Sequence, residues 1–304
     1  MSFKSSLRPF KHAAASALER SWRLGFGAVA RVSRGRPNLW TPAGGKRVLV
    51  VAPHPDDEAI GCVGTVLLHV GRGDQVCIAI ATDGRRSRSV TDEPGVMAAL
   101  RRREAETAAR LMQAHRFEWL GLPEGEWNTL QLQTLLRSLI EDIDPDLIYA
   151  PSRIDFHPEH LHVAHALALA LHNAESPGIE RARVRVYQIQ VPLSATVVNL
   201  VADVSPVHSQ CEAVLNAYSS QAGTIQCTYR QRRYSASWHG IDGYAEEFWE
   251  LPVQQYVRAH IEPPTHWPDA FRGLRRFPLT DPLAYLTGHS ERRRLAATLS
   301  VPGR

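Results

Sequence analysis

Along the middle of the chain, short apolar runs alternate with longer segments in which apolar positions recur every three to four residues. The runs at 47–53 (RVLVVAP) and 75–82 (QVCIAIAT) are continuous and β-branched, the mark of strands buried on both faces of a sheet. Further strands are expected at 117–120, 146–150, 184–191 and 197–204. Helices are expected at 56–70, 96–115, 130–143 (stopped before Pro145), 160–173 and 206–217. This alternation predicts an α/β fold, a Rossmann-like and mostly parallel sheet with helices on both faces, forming a single domain.

The ends read differently. Residues 9–32 show partial amphipathic spacing, weakened by Gly25 and Gly27, and residues 34–45 read as a linker. From about Glu262 the chain is rich in Pro and Arg with weak periodicity. The expected division is a basic arm and linker over 1–45, an α/β domain over 46–260 and a C-terminal extension over 261–304. The net charge of +4 is unevenly placed: residues 1–46 hold nine basic residues and one acid, leaving 26 basic and 30 acidic residues elsewhere. A basic arm on an acidic body argues against nucleic-acid binding and leaves peripheral contact with an anionic membrane as an expectation for the arm. Arg20 and Arg23 interrupt the Ala-rich stretch, against a cleaved secretory signal. No uncharged run reaches the roughly 18 residues of a membrane span. The four cysteines form no CxxC pair. The expected location is the cytoplasm, with peripheral membrane contact open to the arm.

In a parallel sheet, ligands bind beyond the carboxyl ends of the strands. That selects the loops at 53–58, 82–86, 121–127 and 151–160. The first carries His54-Pro55-Asp56-Asp57-Glu58. His54 and Asp57, three residues apart, can converge on one point as the chain enters a helix, and imidazole plus carboxylate is a partial shell for catalytic zinc. Asp56 beside them can take a proton from water. A helix N-terminus would account for the acids alone, but not for His54. The last loop carries Asp155-Phe156-His157-Pro158-Glu159-His160. Either His157 or His160 can supply a third ligand, and the other can stay protonated or donate a hydrogen bond to a developing oxyanion. His162 and His165, further along the same helix, read as structural.

These two motifs resemble those of the PIG-L/LmbE-like family of zinc-dependent N-deacetylases. So do Thr82-Asp83-Gly84, Arg101-x-x-Glu104, Ala217-Tyr218-Ser219-Ser220-Gln221 and Tyr244-Ala245-Glu246, in that order over roughly 46–250. The resemblance implies one Zn2+ held by His54, Asp57 and His160, other divalent metals being accepted. It further implies Asp56 as general base, His157 as stabiliser of the tetrahedral intermediate, and an N-acetylated amino sugar as substrate, with acetate released. Glu159 stands where the family often has Asp.

Asp83, Arg101 and Asp155 are candidate contacts for sugar hydroxyls, against readings as a turn, a surface arginine and a helix cap. Trp119, Trp127, Trp238 and Trp249 could stack on a sugar, although isolated tryptophans more often belong to core or rim. A nucleotide-binding module is disfavoured because no GxGxxG follows the first strand. An amidase on another N-acylated molecule, or a non-catalytic member of the fold, is the alternative.

Overall fold

The computed structural model describes residues 38–191, 193 and 197–264, with the isolated residues 17 and 21. Apart from those two, the residues of the amphipathic stretch at 9–32, and almost all of the C-terminal extension, lie outside the described residues.

Five strands pair in parallel: β2 (Arg47–Ala52), β3 (Gln75–Thr82), β4 (Arg116–Leu122), β5 (Leu147–Ala150) and β6 (Arg183–Tyr187), in the order β4-β3-β2-β5-β6. Beyond β6 come β8 (Ala245–Pro252), β7 (Leu200–Asp203) and β1 (Asn38–Trp40). β8 runs antiparallel to β6 and to β7, and β1 pairs in parallel with β7. The α-helices are α1 (Asp57–Val70), α2 (Pro94–Leu111), α3 (Thr129–Ile143), α4 (Pro158–Asn173), α5 (His208–Asn216), α6 (Ala222–His239) and α7 (Val253–His260). The fold is thus a single α/β domain with a mixed, mostly parallel sheet.

Strand side chains alternate between two faces, and β2 shows why its run is apolar throughout. Leu49 and Val51 pack into one core layer with α3, α4 and α7, whereas Val48, Val50 and Ala52 pack into the other with α1, α2 and α5. α3 starts on a reciprocal capping box between Asn128 and Gln131 and stops at left-handed Asp144, just before Pro145.

The elements depart from the sequence pattern at several places. The linker expected at 34–45 contains β1, which closes the sheet edge against β7. The strand expected over 184–191 stops at Tyr187, where the Gln188 side chain reaches Glu247 and the Leu193 amide, and the chain turns away. β7 begins at Leu200 because Asn199 spends its side chain on the backbone of Glu250, donating to its carbonyl and accepting from its amide. α6 and β8 carry too many polar residues for their periodicity to stand out, and α7 is only eight residues long.

At the amino-terminal end of the strands, His69 lies buried with Nδ1 2.5 Å from Asp74 and Nε2 2.9 Å from the Tyr149 hydroxyl. Burial lowers its pKa to about 4, against the opposing pull of Asp74. A histidine depressed in the folded state binds its proton first in the unfolded chain. Its stabilising contribution is therefore complete above about pH 6.5 and is lost as pH falls toward 4. The melting temperature should fall across that window, and the His69 ring should remain neutral by NMR at pH 5; a protonated His69 at pH 5 would contradict this assignment.

Candidate active site

The order β4-β3-β2-β5-β6 reverses direction between β2 and β5, since the chain moves outward one way from β2 and the other way from β5. Such a switch point leaves a crevice at the carboxyl ends of the two strands. The loop after β2 brings His54, Asp56 and Asp57 to it, and the loop after β5 brings His157 and His160.

Three atoms form a compact triangle there. His54 Nδ1 lies 3.1 Å from Asp57 Oδ2 and 3.2 Å from His160 Nε2, and His160 Nε2 lies 3.3 Å from Asp57 Oδ2. Ligand atoms about 2.0–2.1 Å from a tetrahedral ion stand about 3.3–3.4 Å apart, so this triangle has the dimensions of one face of a coordination tetrahedron. The rest of each ring supports the same function. His54 Nε2 is 3.4 Å from Glu124 Oε1, and His160 Nδ1 is 3.0 Å from Asp155 Oδ2. Both are ion-pair distances and neither nitrogen makes a hydrogen bond of good geometry, but a carboxylate behind each ring is the placement that orients metal-binding histidines. The donors present therefore fit a divalent cation. His157 offers a further nitrogen; the three imidazoles have ligand atoms within 4.8 Å of one another. The triangle with Asp57 is the tighter set, and it leaves His157 at one side.

Burial would raise the pKa of Asp57, but His160 and His54 outweigh it and keep the carboxyl well below its ordinary value. Asp56 differs. Burial raises it to about 7, although the Arg101 guanidinium holds its Oδ1 at 2.7 Å and favours the charged form. Its backbone has φ 124°, ψ −24°, a region that costs a non-glycine residue strain. Arg101, donating both to Asp56 and to the Pro55 carbonyl, grips this strained residue. Gly84 makes room: a Cβ there would stand 2.4 Å from Arg101 Nη1, and its own φ is +65°. His157 is pushed down to about 4 by burial and by its histidine neighbours, so it is neutral at pH 7.

The candidate residues separate by task. His54, Asp56, Asp57, Arg101, His157 and His160 line one cavity of 440 Å³, within the roughly 300–1,000 Å³ typical of ligand sites. Arg101 lines it as the partner of Asp56. Asp83 does not line it: buried, it accepts from the Arg85 guanidinium and from the amides of Arg85 and Glu124, so it shapes the loop that carries Glu124. Asp155 likewise holds His160 and the amides of Phe156, His157 and Gln190. Neither carboxylate is open to a sugar hydroxyl; the rim is instead formed by Arg86, Gln190, Gln221 and Thr224. Trp127 packs against the core and donates its indole N–H to Glu159, which also accepts from the Gly125 amide. Glu124 was not singled out by motif. Its only signal was an acid on one of the four strand-end loops.

The later motifs converge on the same wall. The Tyr218 hydroxyl donates to Glu58, whose other oxygen accepts from the Asp56 amide at 3.2 Å. Glu104 accepts from Ser219 and from the amide and hydroxyl of Ser220.

Residues 49–171 match the PIG-L family profile, described as GlcNAc-PI de-N-acetylase. A probable N-acetyl-α-D-glucosaminyl L-malate deacetylase 2 from Bacillus subtilis is 30% identical over 139 residues, 42% of this chain and 61% of the relative. The chain thus spans about three fifths of that relative's length. Among solved structures, the N,N'-diacetylchitobiose deacetylase from Pyrococcus horikoshii is 22% identical with a TM-score of 0.62, covering 78% of this chain and 92% of that one. A 4-carboxy-2-hydroxymuconate hydratase from Pseudomonas putida is 17% identical with a TM-score of 0.59, covering 68% and 96%. The same fold thus occurs in a protein named for another reaction, so the chemistry has to be argued from the site.

If the carboxylates behind the imidazoles fix the donors, Glu124→Gln and Asp155→Asn should each weaken divalent-metal binding about 10–100-fold. Competition with a chromophoric chelator measures this; unchanged affinity in both variants would remove these residues from the site.

Proposed function

We propose that this chain is a metal-dependent N-deacetylase acting on an N-acetylated amino sugar: a GlcNAc-type glycan, glycolipid or glycoconjugate. One observation carries the reading. A three-donor face stands beside a carboxyl with a pKa near 7 and a neutral imidazole, all lining a cavity of 440 Å³. The family profile and the Bacillus subtilis relative point the same way. The catalytic domain is placed at residues 46–260.

In this reading His54, Asp57 and His160 would hold one zinc ion, two nitrogens and an oxygen being a donor set found at catalytic zinc. The ion supplies a Lewis acid for the amide carbonyl and brings the pKa of water toward 7. Asp56 is the general base. Arg101 occupies its Oδ1, which leaves Oδ2 to take the proton of the attacking water. A base whose pKa lies near the working pH is both available and strong enough to accept that proton. Asp56 then returns the proton to the departing nitrogen as the C–N bond breaks, leaving acetate and a free amino sugar. His157, neutral, donates an N–H to the carbonyl oxygen as it gains charge. Gln190, Gln221, Thr224 and Arg86 on the rim are the groups offered to sugar hydroxyls.

The basic arm over 1–45 suits contact with an anionic membrane. The full chain should bind anionic vesicles in low salt, and deletion of residues 1–40 should abolish this; equal binding by both would discard the idea.

Acetate release from N-acetylglucosamine compounds should require metal. Asp56→Asn should slow it by about 10²–10⁴-fold while leaving bound metal in place. Full activity in Asp56→Asn, together with full metal retention in His54→Ala, would falsify the assignment.

A further inference from the structure

α1 is not one straight helix. Cys62 sits at φ −152°, ψ 19°, which breaks the helix between its first turn, bearing Asp57 and Glu58, and the segment that packs in the core. In a straight helix the Gly64 amide donates to the Ile60 carbonyl, and the Thr65 amide to that of Gly61. Here the Gly64 amide donates to Glu246 Oε1 at 2.9 Å, and the Thr65 amide and hydroxyl donate to Glu246 Oε2 at 2.8 and 2.6 Å. On the other side of the break, Arg232 Nη2 donates to the Ala59 carbonyl at 2.9 Å and the Ile60 carbonyl at 3.4 Å. Arg232 and Glu246 meet at 2.8 Å, with 0% and 2% exposure. An ion pair is therefore set across the break as a splice, joining carbonyls on one side to amides on the other through a chain that runs carbonyl, guanidinium, carboxylate, amide. Inserted side chains are a recognised cause of sharp helix kinks.

Gly64 permits this approach, since a Cβ there would stand 2.5 Å from Val204 and 3.1 Å from Glu246 Oε1. The arrangement is costly for stability alone. Arg232 keeps Nε and Nη1 buried without a hydrogen-bond partner among the described residues, and buried pairs seldom stabilise more than apolar replacements of equal volume.

We propose that the Arg232–Glu246 pair is a positioning device: it sets the angle at which the first turn of α1 presents Asp57 to His54 and His160. This rests on the metal-site reading above. Neither residue lines the cavity or stands in the donor triangle, so both act through the helix.

The test uses the full chain and Co2+, which reports both affinity and, through its visible absorption bands, coordination geometry. The charge-neutral variant Arg232→Met/Glu246→Gln removes the splice and both buried charges together. In Gln the group facing one of the Gly64 and Thr65 amides becomes an NH2, which donates and cannot accept. Glu246→Asp, which keeps the charge but shortens the reach, serves if the double variant fails to fold. The control is Arg185→Met/Glu250→Gln, which removes a pair of 2.9 Å at the opposite end of the sheet. The expected result is Co2+ binding weakened at least tenfold, with altered absorption, in the splice variants alone. Hydrogen exchange in the peptide over 54–66 should also rise beyond any change elsewhere in the chain. Wild-type affinity and spectrum in a folded splice variant, or an equal loss in the control, overturns the proposal. Should the wild-type chain bind no Co2+, the metal reading fails. The exchange measurement then decides the splice by itself, with unchanged exchange over 54–66 overturning it.

Discussion

Two imidazole nitrogens and a carboxylate oxygen crowd within 3.3 Å of one another in the interior. Such a cluster of polar donors, left to itself, would spread apart or fill with water. What holds it is a ring of surrounding carboxylates: Glu124 behind His54, and Asp155 behind His160, with Asp83 fixing the Glu124 loop in turn. The half of the molecule nearest the strand ends is organised by this need. Glu159 extends it by tying the first turn of α4 to the Trp127 loop.

The topology supplies the place and the side chains supply the chemistry. Strands β2 and β5 are neighbours, yet their following helices leave on opposite faces, so the two histidine-bearing loops meet without either being long. Burial on this scaffold then separates two adjacent carboxyls. Asp57, facing histidines, stays ionised, while Asp56, facing one arginine in a buried strained turn, titrates near 7. Consecutive aspartates thereby become unlike in chemistry through contacts rather than through residue type.

Much of this was legible in the sequence. The runs at 47–53 and 75–82 gave β2 and β3 almost to the residue, because buried parallel strands must be apolar on both faces. The residues around the triangle were legible because a histidine and paired acids after such a strand have few other reasons to be there. What stayed hidden is polar yet buried. α6 presents Gln231, Arg232 and Ser235 to the interior, and β8 carries Glu246 and Glu247 near its start, so neither shows the apolar pattern that marked β2 and β3. The roles of Asp83 and Asp155 were hidden for a related reason. A carboxylate that serves backbone amides has the same letter as one that serves a ligand.

The one reversed direction in the sheet has a geometric consequence. β8 runs against β6, and Tyr187, the last residue of β6, pairs with Phe248 near the beginning of β8. The beginning of β8 therefore lies at the same rim as the strand-end loops, which is how Glu246 comes to reach α1. Laid in the common direction, the strand would carry position 246 to the far rim, five residues along and about 17 Å away at about 3.3 Å per residue. Polarity of a single strand thus works as an address, deciding which edge of the molecule receives its first residues.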